Sequence, residues 1–289
     1  MSIVQAKGLV KQYGDVRALD GFDLTVKPGQ IVGLIGPNGS GKTTALNALL
    51  GLNNLDSGSL SVLDKKPMLQ RAKMMQSVAY IADTGILPSW MKVSELLRYV
   101  AAVHPKFNIV QAQEMLSRTE IRQNKRVSVL SKGMHVQLHL AIVLAIDAPL
   151  LVLDEPTLGL DIVYRQQFYD TILNDYFNEQ RSILVTTHEV REIEHILTDV
   201  VFMHRGKAVL TTSMADIAEK YIKLTATNGD PLPATPLSAR KTLAGTEYIF
   251  DNVGQADLSA QLSPNGVLST PNLAELFVAL VEPNQGVMQ

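Results

Sequence analysis

The chain has 289 residues, 46% of them hydrophobic, and a formal net charge of −2. That is enough for one large domain, or one plus a small appendix, and the near-neutral balance gives no general pull toward nucleic acid or anionic lipid. There is no cysteine, which excludes disulfides, cysteine-ligated zinc and cysteine nucleophiles.

The first residues, Met-Ser-Ile-Val-Gln-Ala-Lys, lack the apolar region of a signal peptide. Residues 1–35 read as short strands broken at Gly21 and Pro28-Gly29, with Phe22–Val26 alternating apolar and polar. The apolar run Ile31–Ile35 leads into Gly36-Pro37-Asn38-Gly39-Ser40-Gly41-Lys42-Thr43-Thr44, a full match to the phosphate-loop pattern G-x-x-x-x-G-K-S/T. A helix-like stretch, Thr44–Gly51, follows. A chance glycine-rich turn would not need this strand–loop–helix context. The glycines let backbone N–H groups converge on phosphate oxygens, and the helix start adds partial positive charge. Lys42 is placed for the β- and γ-phosphates and the Thr43 hydroxyl for Mg²⁺. The loop therefore implies a nucleoside triphosphate.

A turn at Asp56-Ser57-Gly58 precedes the strand pattern Ser59–Leu63. Residues 93–146 read mostly helical, with Ser94 as a cap and with helices over Val110–Arg118 and Ser131–Ile146. Leu150–Leu153 and Ser182–Val185 are short continuous apolar runs, as in buried parallel strands, and the pattern Val163–Phe177 between them is helical. This is the βαβ rhythm of an α/β domain. The most apolar segment, Leu138–Leu153, is interrupted by His139, Asp147 and Pro149, so no run reaches the ~20 apolar residues of a membrane span, and the chain is expected to be soluble. Residues 213–289 carry 4 Lys/Arg against 8 Asp/Glu and include the breaker-rich run 229–236. Tyr221–Ala226 and Thr246–Phe250 suggest strands there. Thr270-Pro271 suggests a cap and first-turn proline for a last helix on which Leu273, Leu276, Phe277 and Leu280 share a face.

A second signal is the strand Leu150–Leu153 ending in Asp154-Glu155. Ligands of a parallel sheet sit at the carboxyl ends of its strands. Asp154 is therefore placed to hold Mg²⁺, directly or through water, and Glu155 to act as general base toward water.

The order of these motifs resembles the nucleotide-binding subunit of an ABC transporter, over residues 1 to about 212. The match comprises the loop at 36–44, Asp154-Glu155, Gly159-Leu160-Asp161, and Thr187-His188 at the end of the next strand. Tyr13 falls where the family stacks an aromatic ring on adenine. Leu130-Ser131-Lys132-Gly133-Met134 falls where it carries its Leu-Ser-Gly-Gly-Gln signature. The resemblance implies that Ser131 and Gly133 bind the γ-phosphate held by a second subunit. It implies too that Asp161 communicates across that interface, and that His188 contacts the γ-phosphate and orients water. Lys132 and Met134 depart from the signature, and Val136-Gln137 stands where the family often has Gln-Arg. The Ser-Lys-Gly-Met form resembles that of bacterial ABC-2-type exporters. Asp83 replaces the glutamine that reaches Mg²⁺.

The implied fold is α/β: a P-loop, RecA-like ABC ATPase core over 1–212, with an antiparallel β subdomain, a helical subdomain at about 86–135, and a small C-terminal α+β domain over 213–289. The implied activity is ATP hydrolysis with Mg²⁺ in a dimer, homodimeric or heterodimeric, that drives a separate membrane-spanning permease. The subunit would sit peripherally on the cytoplasmic side of the membrane, with no nucleic-acid partner. Two other readings stay open: a soluble ABC ATPase acting on DNA or ribosomes, and a nucleotide-binding regulator with little turnover. Trp90 is either an anchor for the membrane partner or local core. His135 and His139, four apart, read as surface or core histidines rather than metal ligands.

Overall fold

The computed structural model describes residues 2–82, 87–158, 160–178, 180–226, 235–243, 245–251 and 267–282. A six-stranded sheet runs through its centre. Its strands are β3 (Ile31–Ile35), β5 (Val78–Ile81), β6 (Leu150–Asp154), β7 (Ser182–Thr187), β8 (Asp199–His204) and β9 (Lys207–Ser213), in the order β5-β6-β7-β3-β8-β9. All neighbours pair in parallel except β8 and β9. The inner strands are apolar without alternation because both faces are covered. Ile31 and Ile35 enter one core while Val32 and Leu34 enter the other, and Leu151 and Leu153 are split in the same way from Leu150 and Val152.

One face is covered by α1 (Lys42–Leu49), α2 (Pro67–Met75) and a three-stranded antiparallel sheet of order β2-β1-β4, where β1 is Val4–Tyr13, β2 Val16–Val26 and β4 Ser57–Val62. β1 and β2 span 10 and 11 residues, longer than the short strands read from the sequence. Gly8 and Gly21 take φ of 58° and 74°, and the pairing slips beside them. Gly21, read as a breaker, thus sits with Gly8 at a bulge inside long strands instead of ending one. Gly58 lies within β4, not in a turn before it, and a Cβ there would stand 2.6 Å from the Gly8 carbonyl oxygen.

The other face is covered by α5 (Lys132–Leu144), α6 (Ile162–Thr171, continued by a π turn, Ile172–Tyr176), α7 (Val190–Ile193) and α8 (Met214–Lys220). α5 also packs its second side against α3 (Val93–Val103) and α4 (Ile109–Ser117), through Leu138 and Ala141 with Leu97 and Leu116. It is apolar nearly all round because it is enclosed nearly all round. The start of α3 differs from expectation. Ser94 does not cap it: Lys92 holds the cap position, and its N–H donates to Glu95 Oε2 at 2.9 Å.

Beyond α8, β10 (Tyr221–Ala226), β11 (Ser238–Thr242), β12 (Gly245–Asp251) and β13 (Val267–Ser269) form an antiparallel sheet of order β11-β12-β10-β13. The last helix, α9 (Leu273–Val281), is capped by Asn272, two residues after Thr270. Asn272 Oδ1 accepts the Glu275 N–H and Glu275 Oε2 accepts the Asn272 N–H, each at 2.9 Å. This reciprocal pair satisfies two orphan donors, which a Thr270 cap followed by proline could not do. α9 lays Leu273, Leu276 and Ala279 in the same core as the central sheet, and Phe277 meets Phe202 edge-on at 5.3 Å. Its first N–H, on Leu273, donates to Glu194, a carboxyl whose pKa burial raises.

Candidate active site

The parallel register sets Ile35 beside Thr187, and Asp154 beside Thr186. The phosphate loop, Asp154-Glu155 and His188 therefore leave the sheet at one edge. Asp83, two residues past the end of β5 in sequence, lies outside the described residues, as does Gly159.

The loop from Gly36 to α1 is held by backbone from two sides. A Cβ on Gly36 would stand 2.2 Å from the Met203 carbonyl oxygen, and one on Gly41 would stand 2.3 Å from that of Ala18. Gly39 and Gly41 also take φ of 79° and 109°. Side chains are excluded for want of room at Gly36, for conformation at Gly39, and for both reasons at Gly41. The Ser40 N–H donates to Pro37 O at 3.1 Å and the Gly206 N–H to Ser40 O at 2.9 Å. Ser40 Oγ is buried with no partner among the described residues. Pro37, Asn38 and Thr43 are exposed, and Thr44 is half-buried. Gly41 carries no capping side chain, so the first-turn N–H groups of α1 have no side-chain acceptor at the cap.

Lys42 is 6% exposed, and its ammonium donates to Gly36 O at 2.6 Å and Pro37 O at 3.3 Å. It lies 3.5 Å from Glu155 Oε1. His188 Nδ1 sits 2.9 Å from Glu155 Oε2, and the His188 N–H points to the same oxygen at 3.4 Å. Glu155 itself takes a φ of 45°, uncommon for a residue with a side chain, and strain of this kind gathers at functional sites.

Thr186 organises the two carboxylates, and the sequence reading passed over it. Its hydroxyl donates to Asp154 Oδ1 at 2.6 Å and accepts the Glu155 N–H at 3.2 Å. The signal was a threonine directly after the apolar run Ile183–Val185 in β7, but its meaning needs the pairing of β6 with β7. Arg165 was missed as well. Its guanidinium pairs with Glu192, which also accepts from the Thr157 hydroxyl at 3.3 Å, and its Nε donates to Leu160 O at 2.7 Å. These contacts brace the segment that carries Asp161.

Asp161 caps α6, accepting the Val163 and Tyr164 N–H groups at 3.0 and 3.1 Å. Ser131 caps α5, its hydroxyl accepting the Met134 N–H at 3.2 Å. Among the described residues no hydrogen bond or ion pair joins 131–134 to the loop 36–44. Gly133 lies against the Tyr164 ring, where a Cβ would approach to 2.7 Å. Tyr13 ends β1 and is 47% exposed, with Asn53 Nδ2 donating to its hydroxyl at 2.8 Å and the Lys11 ammonium 5.2 Å from its ring centre. Trp90 is 67% exposed, which overturns the reading that it fills local core. His139 on α5 is mostly enclosed, and burial pushes its pKa down to about 4. No helix among the described residues is long and apolar enough to cross a membrane.

Known proteins bear on this geometry. Residues 19–158 match the model of a family described as ABC transporter. The Nod factor export ATP-binding protein I of Cupriavidus metallidurans is 32% identical over 296 residues, covering 96% of this chain and 97% of that protein. The ABC transporter ATP-binding protein YtrB of Bacillus subtilis is 29% identical over 222 residues, 77% of this chain and 76% of its own. A solved structure described as the ATP-binding subunit of an ABC transporter superposes with a TM-score of 0.65 at 26% identity, covering 74% of this chain and 91% of its own.

Proposed function

This chain belongs to the family of ABC transporter ATP-binding subunits and is an ATPase; from that premise we propose that it works as a dimer, with two ATP molecules held between head-to-tail subunits, and that it drives a separate membrane-spanning permease in the export direction. The observation that carries the catalytic reading is the convergence of Lys42 and His188 on the two oxygens of Glu155, at 3.5 and 2.9 Å.

In this reading the backbone N–H groups of Gly39, Ser40, Gly41, Thr43 and Thr44 cradle the phosphates, with Gly36, Pro37 and Asn38 shaping the loop. Lys42 turns its ammonium from the Gly36 and Pro37 carbonyls to the β- and γ-phosphates. Glu155 takes a proton from a water whose oxygen attacks the γ-phosphorus. The bond from that phosphorus to the β–γ bridging oxygen breaks, and ADP leaves with the electron pair. His188 holds the Glu155 carboxylate and the γ-phosphate in register. Tyr13 offers its exposed ring to the adenine.

The donor set fits a magnesium ion. Asp154 is 4% exposed at the sheet edge, Thr43 stands exposed in the first turn of α1, and Asp83 is the third proposed ligand. Magnesium takes few protein ligands and completes its shell with phosphate oxygens and water. When bound, it neutralises charge that builds on the phosphates.

Two features support the dimer. Ser131 and Gly133 open a helix whose cap engages only its own turn, and a Ser-capped helix start is an anion site. Asp161 is flanked by Leu158, Ile162 and Val163, which are 51%, 82% and 60% exposed and are apolar surface suited to a partner. The export direction rests on the relatives named for Nod factor export. Exposed Trp90 supports docking of the permease at residues 87–91, and the subunit then lies peripherally on the cytoplasmic side of the membrane. Glu155→Gln tests the reading. It should keep ATP binding, lose about 10²–10⁴-fold in turnover, and elute as an ATP-bound dimer. Phosphate release at the wild-type rate would contradict the assignment.

A further inference from the structure

Residues 89–94 run antiparallel beside 123–128. The Val127 N–H donates to Met91 O at 2.9 Å, that of Ser128 to Ser89 O at 3.0 Å, and that of Val93 to Lys125 O at 3.0 Å. This pairing gathers Lys92, Arg122, Lys125 and Arg126 around a hollow of about 600 Å³. All four are exposed, and none forms an ion pair among the described residues. Only one carboxylate, Glu120, lines the hollow with them. The rest of the chain holds 22 basic and 27 acidic residues, a net −5, so the cations gathered here run against the overall balance. Its apolar lining is Val129, Leu130 and Met134, of which Val129 is 66% exposed.

We propose that this hollow binds the phosphate headgroups of anionic lipid, so that the face around Val129 rests against the bilayer surface beside a permease docked at residues 87–91. Four unpaired cations around a concavity match clustered phosphates, and each basic residue close to an anionic leaflet strengthens partition about fivefold. A nucleic acid is the weaker match, because the residues that line the hollow include no aromatic ring to stack successive bases.

The test is sedimentation of the whole chain with vesicles of phosphatidylcholine containing about a third phosphatidylglycerol, against vesicles of phosphatidylcholine alone. The wild type should bind the first and not the second, and should be released at about 0.5 M salt. The double variant Lys125→Glu with Arg126→Glu should lose at least about 25-fold in partition while keeping ATP binding and melting temperature. A charge-matched control, Lys7→Glu with Lys73→Glu, lies on β1 and α2 and should bind like the wild type. If the glutamate pair perturbs folding, Lys125→Gln with Arg126→Gln gives the same comparison with a smaller loss. Equal binding to both vesicles, equal loss in the control, or tight binding to a single-stranded RNA without binding to vesicles would overturn the proposal. ATP turnover in detergent-free buffer is read separately, so failure here leaves the ATPase reading standing.

Discussion

At the carboxyl edge of the central sheet, Ser40, Lys42 and Asp154 are 3%, 6% and 4% exposed, and backbone carbonyls press on Gly36 and Gly41 from two strands. At the start of α5, Ser131 and Lys132 stand exposed, and the Ser131 hydroxyl engages nothing beyond its own helical turn. Both places are suited to anions, one through a glycine loop and the other through a capped helix start. The first is assembled within the chain; the second is displayed on its surface. Two half-sites of such unequal enclosure make sense if the exposed one is completed by the bound nucleotide of a second copy.

The difference can be broken from the enclosed side. Gly36→Ala forces a Cβ to 2.2 Å from the Met203 carbonyl oxygen, and backbone cannot yield as a side-chain tip does. Overpacking of this kind costs roughly 1–3 kcal/mol, so nucleotide affinity should fall about 10–100-fold in calorimetry on the single chain. An unchanged affinity would mean that the loop is not held as tightly as its contacts indicate. Thr186→Val removes the hydroxyl shared by Asp154 and the Glu155 N–H. Losing a buried partner costs about 1–3 kcal/mol. The variant should melt earlier and turn over about tenfold more slowly at saturating ATP, with little change in affinity.

A smaller effect sharpens the comparison from the helical side. His139, on α5, is held neutral by burial, with its pKa pushed down to about 4 from 6.5. Between those values the unfolded chain takes up a proton that the folded chain refuses. Its contribution is therefore complete above pH 6.5 and is lost as pH falls toward 4. At about 1.4 kcal/mol per pH unit, denaturation at pH 5.5 should show the wild type losing roughly 1 kcal/mol more than His139→Gln, each relative to pH 7. Equal losses would mean that the imidazole is hydrated in the folded chain.

Legibility followed the same division. The phosphate loop and Asp154-Glu155 could be read directly, because each is a local run whose chemistry depends on neighbours in sequence. The parallel sheet could be read too, since continuous apolar runs mean strands covered on both faces. Thr186 could not, because its role exists only once β6 and β7 are side by side. Nor could the caps at Lys92 and Asn272, where Glu95 and Glu275 decided against the nearer Ser94 and Thr270. Gly21 misled as a breaker, because a bulge and a turn ask for the same backbone freedom. The role of Ser131 rests on resemblance alone, since half of its proposed site belongs to another chain.

That last point admits a direct measurement. Lys42→Ala disables the loop, and Ser131→Arg fills the displayed helix start. If each site is built from the loop of one copy and the helix start of the other, a mixed dimer keeps one intact site. Mixing the two inactive variants should then restore ATPase activity well above the sum of their separate rates. If the mixture stays as inactive as its components while wild-type chains treated in the same way remain active, the two half-sites do not meet across a dimer, and the account is wrong at its centre.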